Sequence, residues 1–67
     1  MAQGTVKYFH RTLGYGFLAP DSGGEDLYAD HSQIRGAGDK VLKAGQRVEY
    51  EVGTGGTENR ALNIRPL

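Results

Sequence analysis

Two aromatic side chains two residues apart, in Gly14-Tyr15-Gly16-Phe17, are the most chemically suggestive feature of this sequence. On a β-strand such residues project from the same face. The glycines before and between them leave that face uncluttered, so flat ligands could lie on both rings. Nucleotide bases are the commonest flat ligands, and each base stacked on an aromatic side chain contributes roughly 1–3 kcal/mol. The flanking segments repeat the theme, with Lys7-Tyr8-Phe9-His10 upstream and Asp26-Leu27-Tyr28-Ala29-Asp30-His31 downstream. Rings at this spacing also suit the core of a small barrel, and the repetition of aromatics across three segments is what favours a binding face.

Other chemistry finds less support. Asp30-His31-Ser32 holds the residue types of an acyl-transfer triad, but consecutive strand residues point to opposite faces and would not converge. There is no cysteine nucleophile and no paired-acid motif, so no enzymatic activity is expected. His10, His31, Asp26 and Asp30 could gather on one face if the first and third strands lie close. Their spacings match no zinc pattern, so neither a metal nor a cofactor is expected.

The elements that must position these residues are short. With 67 residues, folding buries only about 60% of the surface the unfolded chain exposes, and without cysteine no disulfide can staple the fold. A closed barrel is an efficient solution, because it buries a core and leaves no sheet edge. Strand signals separated by turns run over residues 4–10, 15–19, 26–30, 48–52 and 60–64. Pro20-Asp21-Ser22-Gly23-Gly24 is the clearest turn, and the connection over 32–42 has room for one helical turn. Val48-Glu49-Tyr50-Glu51-Val52 alternates apolar and acidic residues as a half-buried strand does. This pattern predicts a single all-β domain over 1–67, a small five-stranded antiparallel Greek-key barrel of the OB-fold type. Its expected core is Val6, Leu18, Leu27, Ala29, Ile34, Leu42, Val48, Val52 and Ile64, with Tyr50 placed inward by its parity with Val48 and Val52.

Eight Lys and Arg balance eight Asp and Glu, giving a formal net charge of zero. A neutral domain binds nucleic acid through stacking and local charge, with weak long-range steering. No apolar run approaches the ~20 residues of a membrane span, and the N-terminus has no signal-peptide pattern. No membrane partner is expected, and a monomer in the cytoplasm is.

These residues resemble the bacterial cold-shock proteins, each a single cold-shock domain on an OB-like five-stranded barrel. The family pattern Gly-x-Val-Lys-Trp-Phe-Asn stands here as Gly4-Thr5-Val6-Lys7-Tyr8-Phe9-His10. Lys-Gly-Phe/Tyr-Gly-Phe-Ile stands as Leu13-Gly14-Tyr15-Gly16-Phe17-Leu18, and Asp-Val-Phe-Val-His-Phe-Ser-x-Ile as Asp26 to Ile34. The likeness continues more loosely through Leu42, Gly45-Gln46, residues 48–51 and residues 61–64. It implies binding of single-stranded RNA or DNA, with an RNA-chaperone or transcript-regulating role. The residues it implies are Lys7, Tyr8, Phe9, Tyr15, Phe17, Asp26, Tyr28 and His31. The aromatics would stack on bases, Lys7 would reach a phosphate, and Asp26 would accept from a base edge.

The chain is nevertheless a divergent relative of that pattern. The family's Trp is Tyr8, a smaller platform, and the basic residue before the Gly-Tyr-Gly-Phe motif is Leu13. The family's stacking His is Asp30, a carboxylate, and the Phe after it is His31, which can still stack. A family aromatic aligns with Asp39, and the Lys/Arg-Gly-Pro before the last strand aligns with Thr57-Glu58-Asn59. Each change weakens nucleic-acid binding, so the alternative is an OB-like protein-interaction module, for which exposed Tyr, Phe and Arg are equally suitable.

Overall fold

The structure, a computed structural model, describes residues 1–36 and 40–67; Asp39 lies outside the described residues. Five strands close into a barrel: β1 (Ala2–His10), β2 (Tyr15–Pro20), β3 (Leu27–Asp30), β4 (Arg47–Val52) and β5 (Arg60–Pro66). Their order around the barrel is β1-β2-β3-β5-β4. All neighbours are antiparallel except β3 and β5, which run parallel. A single 3-10 turn, His31–Gln33, follows β3, which is the helical turn expected in the long connection. The expected OB-type barrel is therefore what forms, with strands one or two residues longer at several ends.

Alternation fills the interior. Val6, Leu18, Leu27, Ala29, Ile34, Leu42, Val48 and Ile64 are all buried, and Tyr50 is 1% exposed. Removing each large apolar side chain from water is worth about 1.5–3 kcal/mol, which lets so short a chain hold together without cross-links. Val52 corrects the expected core: it shares the inward parity of Val48 and Tyr50 but is 46% exposed. It ends β4 at an open mouth of the barrel, where it lines a cleft of about 450 Å3 with Ala2, Leu27 and Tyr50. Parity points a side chain inward but does not supply something to cover it.

Ala61 joins the core instead, at 1% exposed. Ala61 and Ile64 are three apart, so plain alternation would put them on opposite faces. The β4–β5 register slips between Glu49 and Glu51, whose partners are Arg65 and Leu62. The extra residue falls on β5, where Asn63 adopts a left-handed φ of 49°. This bulge turns both apolar side chains inward, and Asn is among the residues that tolerate that conformation.

Candidate nucleic-acid interface

The outward face of β1, β2 and β3 is built from two rungs of the sheet. Across the first, Tyr8 pairs with Phe17, Phe17 with Tyr28, and Tyr28 with Arg60 of β5. Across the second, His10 pairs with Tyr15, and Tyr15 with Asp30. Residues directly opposite on one face lie close enough for their side chains to touch, and these do. Tyr15 and Tyr28 lie with ring planes 20° apart and centroids 5.8 Å apart, and His10 lies within 9° of the Tyr15 plane at 6.0 Å. Phe17 stands edge-on to both tyrosines, 6.3 Å from Tyr15 and 5.9 Å from Tyr28. Tyr8 tilts against Phe17 at 5.6 Å and is 47% exposed. The Arg60 guanidinium sits 5.0 Å from the centroid of Tyr28, within cation–π range.

A bulge in β1 makes this possible. Val6 opposes Leu18, but Tyr8 opposes Phe17, so Lys7 is the extra residue. Without it, Val6 and Tyr8 would share a face and Tyr8 would point into the core. With it, Lys7 and Tyr8 both face solvent, and Phe9 turns inward opposite Gly16. Phe9 is half-buried and packs against the core, so the structure sets it apart from the ring array. Gly16 has a different task from the one its spacing suggested. It is buried, and a Cβ there would come within 2.7 Å of the Phe9 Cα and 2.9 Å of its ring. It makes room for Phe9 below the sheet instead of clearing the surface above it.

Lys7 and Asp26 find each other. The Lys7 ammonium is 3.1 Å from the Asp26 carboxylate, beside Tyr8 and Phe17. Both side chains are well exposed, and such a pair contributes little to stability, so an incoming phosphate can displace the carboxylate. Partial burial and neighbouring groups, Tyr15 for Tyr8 and Asp30 for Tyr28, push both phenols above their ordinary pKa. The Tyr8 and Tyr28 side chains are thus held in the neutral hydroxyl form.

Asp30, His31 and Ser32 do come together, contrary to the expectation for a strand. The strand ends at Asp30, which caps the 3-10 turn as an N-cap carboxylate does. Its Oδ2 accepts from the Ser32 hydroxyl at 2.6 Å and from the Ser32 N–H at 3.0 Å. The Tyr28 hydroxyl donates to Oδ1 at 3.2 Å. These donors from Ser32, ahead of Tyr28 and His31, hold the Asp30 carboxyl below the ordinary carboxylate range. The arrangement is a cap and not a nucleophile with its base, because the serine hydroxyl is committed to the carboxylate. The His31 Nδ1 lies 3.1 Å from the Gly14 carbonyl, and among the described residues its exposed ring joins no aromatic pair. Gly14, at φ 75°, closes the β1–β2 turn by donating to the His10 carbonyl at 2.7 Å. Among the described residues, no three His, Asp or Glu side chains gather as metal ligands would.

Sequence reasoning missed two members of the face, His10 and Arg60. The register of β1 against β2 carried the signal for His10, once the bulge is counted. Arg60 had none, since its position depends on the parallel pairing of β3 with β5. Leu13, 62% exposed, sits at the tip of the turn beside His10, whose Nδ1 accepts from the Leu13 N–H at 3.3 Å.

Residues 2–67 match the family of the "Cold-shock" DNA-binding domain. Cold shock-like protein CspD of Escherichia coli K12 is 45% identical over the whole of this chain, which spans 90% of that protein. Cold shock-like protein CspA of Stigmatella aurantiaca is also 45% identical, with 98% of its length covered. Probable cold shock protein A of Mycolicibacterium smegmatis is 39% identical over the full length of both chains.

Proposed function

This chain belongs to the cold-shock domain family, and on that premise we propose that the outward face of β1, β2 and β3 binds single-stranded RNA or DNA. The single observation that carries the proposal is the exposed ring array of Tyr8, Tyr15, Phe17 and Tyr28, flanked by His10 and Arg60. Bases in a duplex are already stacked and paired, so a stacking platform reaches them only if the helix opens. Single strands present free faces. Lys7 and Arg60 take phosphates or stack, and Asp26, released by Lys7, accepts from a base edge. His31 borders the array and contributes at its margin, while Phe9 supports the sheet from below. The role we assign is that of an RNA chaperone or transcript regulator acting as a cytoplasmic monomer: bound bases are kept out of intramolecular pairs. Among the described residues no helix is long and apolar enough to cross a membrane.

The test is a titration with a labelled hexathymidine strand and with a duplex of matched length. With no tryptophan in the chain and three of its four tyrosines on the face, Tyr50 being in the core, tyrosine fluorescence reports chiefly on the face. Binding of the single strand in preference to the duplex is the expected result, with affinity in the micromolar range, on the order of −8 kcal/mol. Equal or tighter binding of the duplex overturns the proposal. Failure to bind either, with the fold intact, favours a protein partner for the same rings.

A further inference from the structure

We propose that Asp30 makes this face select guanine over thymine or uracil at the position stacked on Tyr28. The inference rests on the reading of the face as a single-strand site and adds base selectivity to it. A hollow of about 80 Å3 lies at the edge of the Tyr28 ring, lined by Tyr28, Asp30, Ser32, Gln33, Arg60 and Leu62 among others. A base that takes the place of the Arg60 guanidinium on the Tyr28 ring would direct one of its edges into that hollow and leave the guanidinium at its rim.

The groups waiting there have defined roles. The Asp30 carboxylate is 29% exposed and, when ionised, can only accept. Ser32 occupies its Oδ2 with two short bonds. Among the described residues its Oδ1 receives a single, long bond, from Tyr28, and so retains capacity to accept. Across the hollow stand donors. The Gln33 carbonyl oxygen accepts from the Asn63 N–H at 3.3 Å, which leaves its NH2 group to donate. The Arg60 guanidinium, which can only donate, completes the set.

One base edge matches an acceptor beside a donor of this kind best. The Watson–Crick edge of guanine offers two adjacent donors, N1–H and the 2-amino group, next to the O6 acceptor. The donors face Asp30, and O6 faces Gln33 or Arg60. Thymine and uracil carry one N–H between two carbonyls, so bringing that edge to Asp30 also brings an oxygen against the carboxylate. Repulsion of the wrong ligand discriminates as effectively as attraction of the right one. Asp30 thus costs this face part of its general affinity for an anionic strand and gives it a preference among bases.

The experiment uses the intact protein and three hexamers: hexathymidine, the same strand with one guanine, and the same strand with one inosine in its place. Inosine keeps N1–H and O6 but lacks the 2-amino group. The guanine hexamer should bind about five- to 100-fold tighter than hexathymidine, the range of one good paired base contact, with inosine between them. Asp30→Asn keeps a side-chain oxygen for the Ser32 cap and removes the charge. In that variant the three strands should converge to within about twofold. A variant that fails to fold leaves the inosine series on the unmodified protein as the deciding measurement. Equal binding of all three strands by the unmodified protein, with Tyr15→Ala weakening all of them, overturns the selectivity and leaves the stacking face standing. Absence of binding to every strand overturns both.

Discussion

Two surfaces of one small barrel treat their charged groups in opposite ways. On the aromatic face, among the described residues, Lys7 has a single partner at 3.1 Å, Arg60 lies over a ring, and one Asp30 oxygen is underused. Elsewhere on the barrel, Arg47 of β4 has most of its donors partnered within the fold. Its guanidinium makes two 2.6 Å bonds to the Asp21 carboxylate and reaches the Thr5 hydroxyl at 2.9 Å and the Gln3 side chain at 3.4 Å. That fork ties β1 and β4 to the turn after β2, in the bidentate geometry that suits arginine. Groups whose bonding capacity is largely met inside the fold have little left for a ligand. Groups met by one weak partner can exchange it. The contrast separates a surface that holds the barrel from the one proposed to bind.

The largest effect should fall on both surfaces together, because both depend on the same core. Leu18→Ala, at a fully buried position, should destabilise the domain by about 2–5 kcal/mol, read as a shift in the urea midpoint. Tyr15→Ala should split the surfaces: oligonucleotide affinity falls by roughly 1–3 kcal/mol, while the midpoint moves far less than for Leu18→Ala. Arg47→Ala should give the reverse pattern, a lower melting temperature with hexathymidine affinity unchanged. If Arg47→Ala weakens binding as much as Tyr15→Ala does, the division fails.

Much of the aromatic face was legible in the residues, and the reasons for the rest are specific. Tyr15, Phe17 and Tyr28 obey simple alternation, so their shared face could be read directly. Tyr8 reaches that face only through the bulge at Lys7, and alternation alone would have sent it inward. The bulge at Asn63 likewise put Ala61 in the core. Val52 had the right parity and the wrong end of the barrel. Arg60 depends on a parallel pairing between segments some thirty positions apart, a distance no local pattern spans. Asp30 was legible as an unfavourable charge, but its cap on Ser32 and its bond from Tyr28 appear only in three dimensions.

Smaller effects sharpen the electrostatic half of the comparison. Each neutralised phosphate adds about 0.7 to the magnitude of the log–log salt slope for single strands. Lys7→Ala should lower the slope by up to about 0.7, and Leu13→Lys, at the exposed tip beside His10, should raise it by about as much. Acid should act on both surfaces through their carboxylates. The Arg47 guanidinium holds Asp21 below its ordinary value, and Ser32 does the same for Asp30. For carboxyls depressed in the folded state, the stabilisation is complete above the ordinary carboxylate pKa of about 4 and is lost as pH falls through the folded values. Thermal melts should therefore be flat from about pH 7 to 5 and drop below about pH 4. Arg47→Ala should shrink the part of that drop owed to Asp21.

The most direct measurement is a two-dimensional amide NMR titration of the unmodified protein with hexathymidine. Shifts concentrated on Lys7, Tyr8, His10, Tyr15, Phe17, Tyr28 and Arg60, with Gln3, Thr5, Asp21 and Arg47 unmoved, are the predicted result. Shifts centred on Arg47 and its partners, or none at saturating oligonucleotide, would contradict a nucleic-acid site on the aromatic face.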